Sequence, residues 1–141
     1  MELITKFHGT FNYEEKDIIN FPNGIMGFEE LNKFIIVESK ENEAFKILQS
    51  LEDGDIGLLS ISPFDVKEDY EVELNEEMVN SLGIESPEDV ILYNIVTLNS
   101  DIYKITVNLK APIIINVNKK VGKQVIIDKE EYKIKHPLIK R

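Results

Sequence analysis

The chain has 141 residues, 43% of them hydrophobic and 30% charged, so it can bury about two thirds of its unfolded surface around one core, and a single domain over 1–141 is expected. Zero cysteines exclude disulfide staples, thiolate metal sites and thiol nucleophiles together. A net charge of -10 opposes any generic grip on nucleic-acid phosphates, because that affinity comes from Lys and Arg displacing counterions.

In chain order, short strand candidates fall at 3–7, 18–21, 34–37, 45–48 and 56–61, separated by Gly, Asn, Asp and Glu, a spacing that suggests a sandwich or barrel. Leu74, Met78, Val79 and Leu82 then follow a 3.6-residue period, with Asn75 placed to cap, Glu76 and Glu77 in the first turn and Gly83 past the end. That pattern predicts a short amphipathic helix. Ser86-Pro87-Glu88-Asp89 sets a capping residue, a first-turn proline and an acid three residues on, so a second helical turn leads into a β-branched, aromatic strand over 90–98. Asn99-Ser100-Asp101 has turn chemistry, and Tyr103, Ile105, Val107 and Leu109 alternate with polar residues, which predicts a hairpin whose second strand covers 102–109. Strands at 113–117 after Pro112 and at 121–127 after a turn at Asn118-Lys119-Lys120 complete an antiparallel meander.

Charge is divided along the chain. Residues 1–89 hold 22 of the 26 acidic residues and 6 of the 16 basic ones, a net of -16; residues 90–141 hold 4 and 10, a net of +6. Two surfaces of opposite sign can steer a basic partner to one face, although a solvated acidic face kept for solubility is the alternative. The first residues lack a basic n-region and a leader-length apolar stretch, and no apolar run approaches the roughly 20 residues of a membrane span. A cytoplasmic protein without membrane contact is the expectation.

The chemical motifs fail one by one. His8 and His136 lie near opposite ends without metal-ligand spacing, and no serine sits in a nucleophile elbow. Asp53-Gly54-Asp55 opens like a calcium loop, but Leu58 stands where that loop needs Gly and Phe64 where it needs Glu. Gly24-Ile25-Met26-Gly27 has the form of an RNA-binding loop in an acidic setting, and its glycines read better as positive-φ turn positions. No catalytic residue, metal or cofactor is expected. An oligonucleotide-binding barrel, using Tyr93, Tyr103 and Tyr132 beside lysines, is kept as an alternative, as is a hydrolase with paired carboxylates, whose separation no sequence reveals.

Five segments in order, however, resemble one family. They are Phe21-Pro22-Asn23-Gly24-Ile25-Met26-Gly27-Phe28-Glu29, Leu48-Gln49-Ser50 with Ile61-Ser62-Pro63, the strand containing Asn94-Ile95-Val96, Asn108-Leu109-Lys110-Ala111-Pro112-Ile113 through Asn116, and Gly122-Lys123-Gln124-Val125. Together they are similar to the flagellar assembly factor FliW family over about residues 3–138. The resemblance implies a compact antiparallel β-barrel-like domain with one or two short helices, monomeric on its own. It also implies a partner switch in which the protein binds the translational repressor CsrA, relieves repression of flagellin messenger RNA, and is titrated by flagellin; a flagellin chaperone without the regulatory partner is the alternative. Beside it, the residues suggest a mechanism: an acidic face docked near a basic RNA-binding surface lowers RNA affinity through its potential. Candidates for partner binding are Asp65, Glu68, Asp69, Glu71, Glu73, Glu76 and Glu77, with Asn23 and Phe28 on a presented loop.

Overall fold

A computed structural model describes residues 1–6, 9–40 and 42–139. At its start β1 (Glu2–Thr5) and β2 (Gly9–Asn12) make a separate antiparallel hairpin. The remaining strands are β3 (Ile19–Asn20), β4 (Lys33–Glu38), β5 (Phe45–Ser50), β6 (Gly57–Ile61), β7 (Val90–Thr97), β8 (Thr106–Val107), β9 (Ile113–Asn116), β10 (Val121–Gln124) and β11 (His136–Pro137), with the helix α1 (Glu76–Leu82) between β6 and β7. In space β7, β6, β5, β4, β3, β10 and β9 follow one another and β9 returns to β7, which closes a seven-stranded barrel. Closure removes most of the free edge that an open sheet would leave, though β6 pairs with β7 only at Ile95 and Asn94. Neighbours in the ring are antiparallel except β3 and β10, which meet in parallel at Asn20 and Val121. The Asn20 N–H donates to the Lys120 carbonyl at 2.9 Å there. The expected antiparallel barrel is therefore present, but shut by one short parallel contact.

The Ile113-Ile114-Ile115 run explains how the layers meet. Ile113 and Ile115 enter the barrel interior with Ile19, Phe21, Ile25, Phe34 and Leu48, while Ile114 lies outside it with Leu82 and Val125. A strand covered on both faces needs an unbroken apolar run. The covering on the outer side is α1, whose Leu82 and Met78 pack into that cluster. Asn75 caps it as expected, accepting the Met78 N–H at 2.8 Å, and Gly83 ends it at φ 61°. Inside the barrel β10 passes so close to the Phe21 ring that a Cβ at Gly122 would sit 2.5 Å from it; only a residue without a side chain permits that approach.

Asn116, fully buried, joins helix and barrel. Its Nδ2 donates to the carbonyls of Leu82 at 2.9 Å and Gly83 at 3.2 Å, and its Oδ1 accepts from the N–H groups of Asn118 at 3.0 Å and Lys119 at 3.1 Å. Asn116→Ala is expected to cost about 2 kcal/mol, read from the urea midpoint, because buried main-chain groups lose their partners. A change within about 0.5 kcal/mol, the usual range for an unremarkable surface site, would show that the helix end is held elsewhere.

The second half departs from expectation in detail. Only Thr106–Val107 of the stretch 102–109 is strand, and Ile102–Lys104 is a one-turn 3-10 helix. The reason is local: Asn99 accepts the Asp101 N–H at 2.9 Å and Asp101 accepts the Tyr103 N–H at 3.0 Å, so two side-chain turns override the alternation. The hairpin survives, with Val96 opposite Val107. Beyond it, Asn108 Oδ1 accepts from the N–H groups of Lys110 and Ala111, each at 3.1 Å, which bulges the chain before it rejoins β7 as β9. Thus β8 and β9 are two parts of one strand, and the meander holds. β10 stops at Gln124 where the bulge leaves it no regular partner, short of the expected 127.

β2 and β11 were not foreseen. His136, expected in an exposed tail, is half-buried opposite Val107 in β11. Phe7 and His8 lie outside the described residues. No helix among those described is long and apolar enough to cross a membrane.

Candidate functional site

Between β6 and β7 the chain leaves the barrel for a long excursion that carries all seven acidic candidates. Pro63–Asp65 forms a one-turn 3-10 helix, closed by the Val66 N–H on the Pro63 carbonyl at 3.1 Å. From Tyr70 on, side chains alternate: Tyr70 is buried and Val72 and Leu74 half-buried, while Glu71 and Glu73 are exposed. Glu76 and Glu77 occupy the first turn of α1, where the helix dipole favours carboxylates. Asp65, Glu68 and Asp69 are exposed as well. The acidic surface is thus the outer side of a segment whose inner side packs on the barrel.

Two tyrosines hold it there. Tyr70 and Tyr132 are each 3% exposed and their rings stack with centroids 4.5 Å apart. The Tyr70 hydroxyl donates to the Leu109 carbonyl at 2.6 Å, and the Glu71 N–H donates to the Tyr132 hydroxyl at 2.8 Å. Asn94 Nδ2 donates to the Asn108 carbonyl at 2.7 Å and reaches the Tyr70 hydroxyl at 3.5 Å. Burial pushes the Tyr70 hydroxyl up to about 12, so it remains a proton donor throughout the neutral range.

Two of the seven carboxylates are partly neutralised within the chain. Lys67 lies 3.1 Å from Asp69 and Lys129 3.8 Å from Glu71. The hydrogen bond between Lys67 and Asp69, with their attraction, holds the Asp69 carboxyl below its ordinary value and raises the Lys67 ammonium. Asp65, Glu68, Glu73, Glu76 and Glu77 have no ion-pair partner among the described residues. Being exposed, they contribute little to stability and project their potential into solvent, where salt screens it. No group of three His, Asp or Glu residues among those described is arranged to hold a metal ion.

Asn23 and Phe28 stand on a different loop, between β3 and β4. Phe21-Pro22-Asn23-Gly24 is a turn closed by the Gly24 N–H on the Phe21 carbonyl at 2.9 Å. Gly24 takes φ 67°, and a Cβ there would lie 2.6 Å from the Glu29 backbone; Gly27 takes φ 88°. Both glycines serve the positive angles expected of them. Ile25 is buried in the barrel, and the Met26 N–H donates to Gln124 Oε1 at 2.8 Å, fixing the loop to β10. Asn23 is exposed at the turn, whereas Phe28 is half-buried beside Glu29, Asp53 and Ile56. The structure gathers the seven acids on one excursion and leaves these two apart.

The tyrosine brace was missed. The alternation of Tyr70, Val72 and Leu74 with Glu71 and Glu73 was a local signal for the inner face, but the stacking partner 62 positions away left no trace in the pattern.

A family model described as FliW protein matches residues 2–138. The chain is 54% identical over 140 residues to the flagellar assembly factor FliW of Clostridium botulinum (strain Langeland / NCTC 10281 / Type F), covering 99% of this chain and 98% of that one. It is 54% identical over 138 residues to the protein of that name from Clostridium tetani (strain Massachusetts / E88), covering 98% and 95%. Among solved structures it is similar to the crystal structure of the flagellar assembly factor FliW, with a TM-score of 0.92, 40% identity and coverage of 100% of this chain and 99% of that one.

Proposed function

The chain belongs to the FliW family, and from that premise we propose that it is a cytoplasmic flagellar assembly factor that works by binding proteins, without catalysis. In this reading it captures the translational repressor CsrA, lifts repression of flagellin messenger RNA, and is itself titrated by flagellin. The observation that carries the reading is the acidic excursion: five carboxylates without ion-pair partners among the described residues, on a segment anchored by buried tyrosines. Such a surface complements a basic RNA-binding partner, and once docked it opposes the approach of phosphates through its field, without occupying the base-contact site.

Calorimetric titration of the purified chain into purified CsrA from the same organism tests it directly. Saturable binding supports the repressor reading; no heat at several temperatures, together with separate elution, leaves a flagellin chaperone without regulatory partner. Glu68→Gln, Glu73→Gln, Glu76→Gln and Glu77→Gln combined are expected to weaken capture about tenfold at low salt, since exposed pairs contribute a few tenths of a kcal/mol each and act together here. The deficit should shrink as salt rises. An identical salt dependence in the parent and the variant would sink the electrostatic mechanism.

A further inference from the structure

β6 ends at Ile61, and it meets β7 only through Ser60 opposite Ile95 and Ile61 opposite Asn94. The N-terminal half of β7 therefore has β9 along one edge and, among the described residues, no strand along the other. Antiparallel ladders alternate in direction. The Val117 N–H donates to the Asp89 carbonyl at 2.8 Å, which puts the main-chain groups of Ile91 and Tyr93 toward β9 and those of Val90 and Leu92 toward the open side. The Val90 N–H closes the preceding helical turn on the Pro87 carbonyl. The Val90 carbonyl and both main-chain groups of Leu92 face outward past the end of β6. In front of them runs a groove walled by Phe64, Pro87, Ile91 and Tyr93, with Phe64 48% exposed. Among the described residues no Lys or Arg lines it, and the exposed acids Asp65 and Glu88 adjoin its walls in the chain.

We propose that this open half of β7 receives an extended segment of a partner protein, paired with β7 where β6 has ended, with apolar side chains at alternate positions and a Lys or Arg beside Asp65 or Glu88. Strand addition supplies the hydrogen bonds that the edge lacks, and the groove reads the alternate side chains. A helix has its own main-chain groups paired and leaves those of Leu92 unmet. A second copy would set the same acidic rim against itself in a chain of net charge -10, and an anionic bilayer would be repelled. The proposal does not depend on the repressor reading, and its groove shares only Phe64 and the adjoining Asp65 with the acidic outer face of the excursion.

Random peptides of about ten residues, displayed on phage and selected on the full chain, supply the probe; an enriched peptide is then synthesised and titrated into the isotope-labelled protein while amide exchange is followed. Enriched sequences are expected to alternate apolar and polar residues and to carry a flanking Lys or Arg. At saturation the Leu92 amide should exchange about tenfold more slowly or better, as an added strand protects it. Methylating the peptide nitrogens that face β7 should abolish binding, and Phe64→Ala should weaken it about threefold or more, in keeping with the loss of one groove wall. Peptides enriched with helical spacing, no enrichment above a bare-surface control, an unchanged Leu92 amide, or equal binding by the methylated peptide would each overturn the proposal. So would protection of Leu92 by raised protein concentration alone, which would assign the edge to self-association.

Discussion

Phe21→Ala is expected to remove about 3–5 kcal/mol from the unfolding free energy, the range for truncating a buried aromatic ring whose site cannot collapse. Phe21 is fully buried, and its ring meets Phe34 edge-on with centroids 5.4 Å apart. The surrounding backbone is tied down around it. The Phe21 N–H donates to the Asn32 carbonyl at 2.7 Å, Asn32 Nδ2 donates back to the Phe21 carbonyl at 2.8 Å, and Gly122 presses on the ring from β10. With those bonds in place the walls cannot close over the void, so the lost contacts add to the lost transfer energy. Urea denaturation should show a lower midpoint with an unchanged slope. Phe64→Ala provides the contrast, because that ring is half exposed and should cost about 1 kcal/mol or less. Equal losses from the two would contradict the packing described.

The elements legible in the sequence are those whose cause is local. Asn75 and Gly83 bound α1 because capping is decided within one turn, and Ser86 to Asp89 marked a helical turn that Asp89 closes by accepting the Ser86 N–H at 3.0 Å. The acidic excursion was legible in the same way, since a run of exposed carboxylates needs no distant partner. What stayed hidden depends on contacts far apart in the chain. β11 is strand only because β8 is beside it, and the barrel closes through Asn20 and Val121, 101 positions apart. Even the alternation of 103 to 109 misled, because two Asx turns outcompeted the ladder at its start. The groove on β7 is the extreme case: it arises where two strands of unequal length stop matching, and no residue in it announces that.

Tyr70→Ala is expected to cost about 3–4 kcal/mol, as for other buried aromatics, and to loosen the acidic excursion selectively. The ring stacks on Tyr132 at 4.5 Å and meets Phe64 edge-on at 6.2 Å. Tyr70→Phe separates that packing from the hydrogen bond: it keeps the ring but leaves the Leu109 carbonyl without its 2.6 Å donor, at about 1–2 kcal/mol. Alkaline pH gives an independent reading. The folded protein holds the Tyr70 proton up to about 12, above the ordinary 10.0, so this contribution to stability is whole below pH 10 and disappears as pH rises through 12. In Tyr70→Phe that part of the alkaline decline should be missing. Amide exchange locates the damage. In Tyr70→Ala the Glu71 amide, which donates to the Tyr132 hydroxyl, should exchange faster while those of Ile113, Ile114 and Ile115 stay protected, since the isoleucines belong to clusters that Tyr70 does not join. Exchange accelerated equally in both regions would mean that excursion and barrel open as one unit. Selective loosening, with capture of the basic partner weakened in Tyr70→Ala and retained in Tyr70→Phe, would show that the carboxylates act because the stacked ring holds them in place.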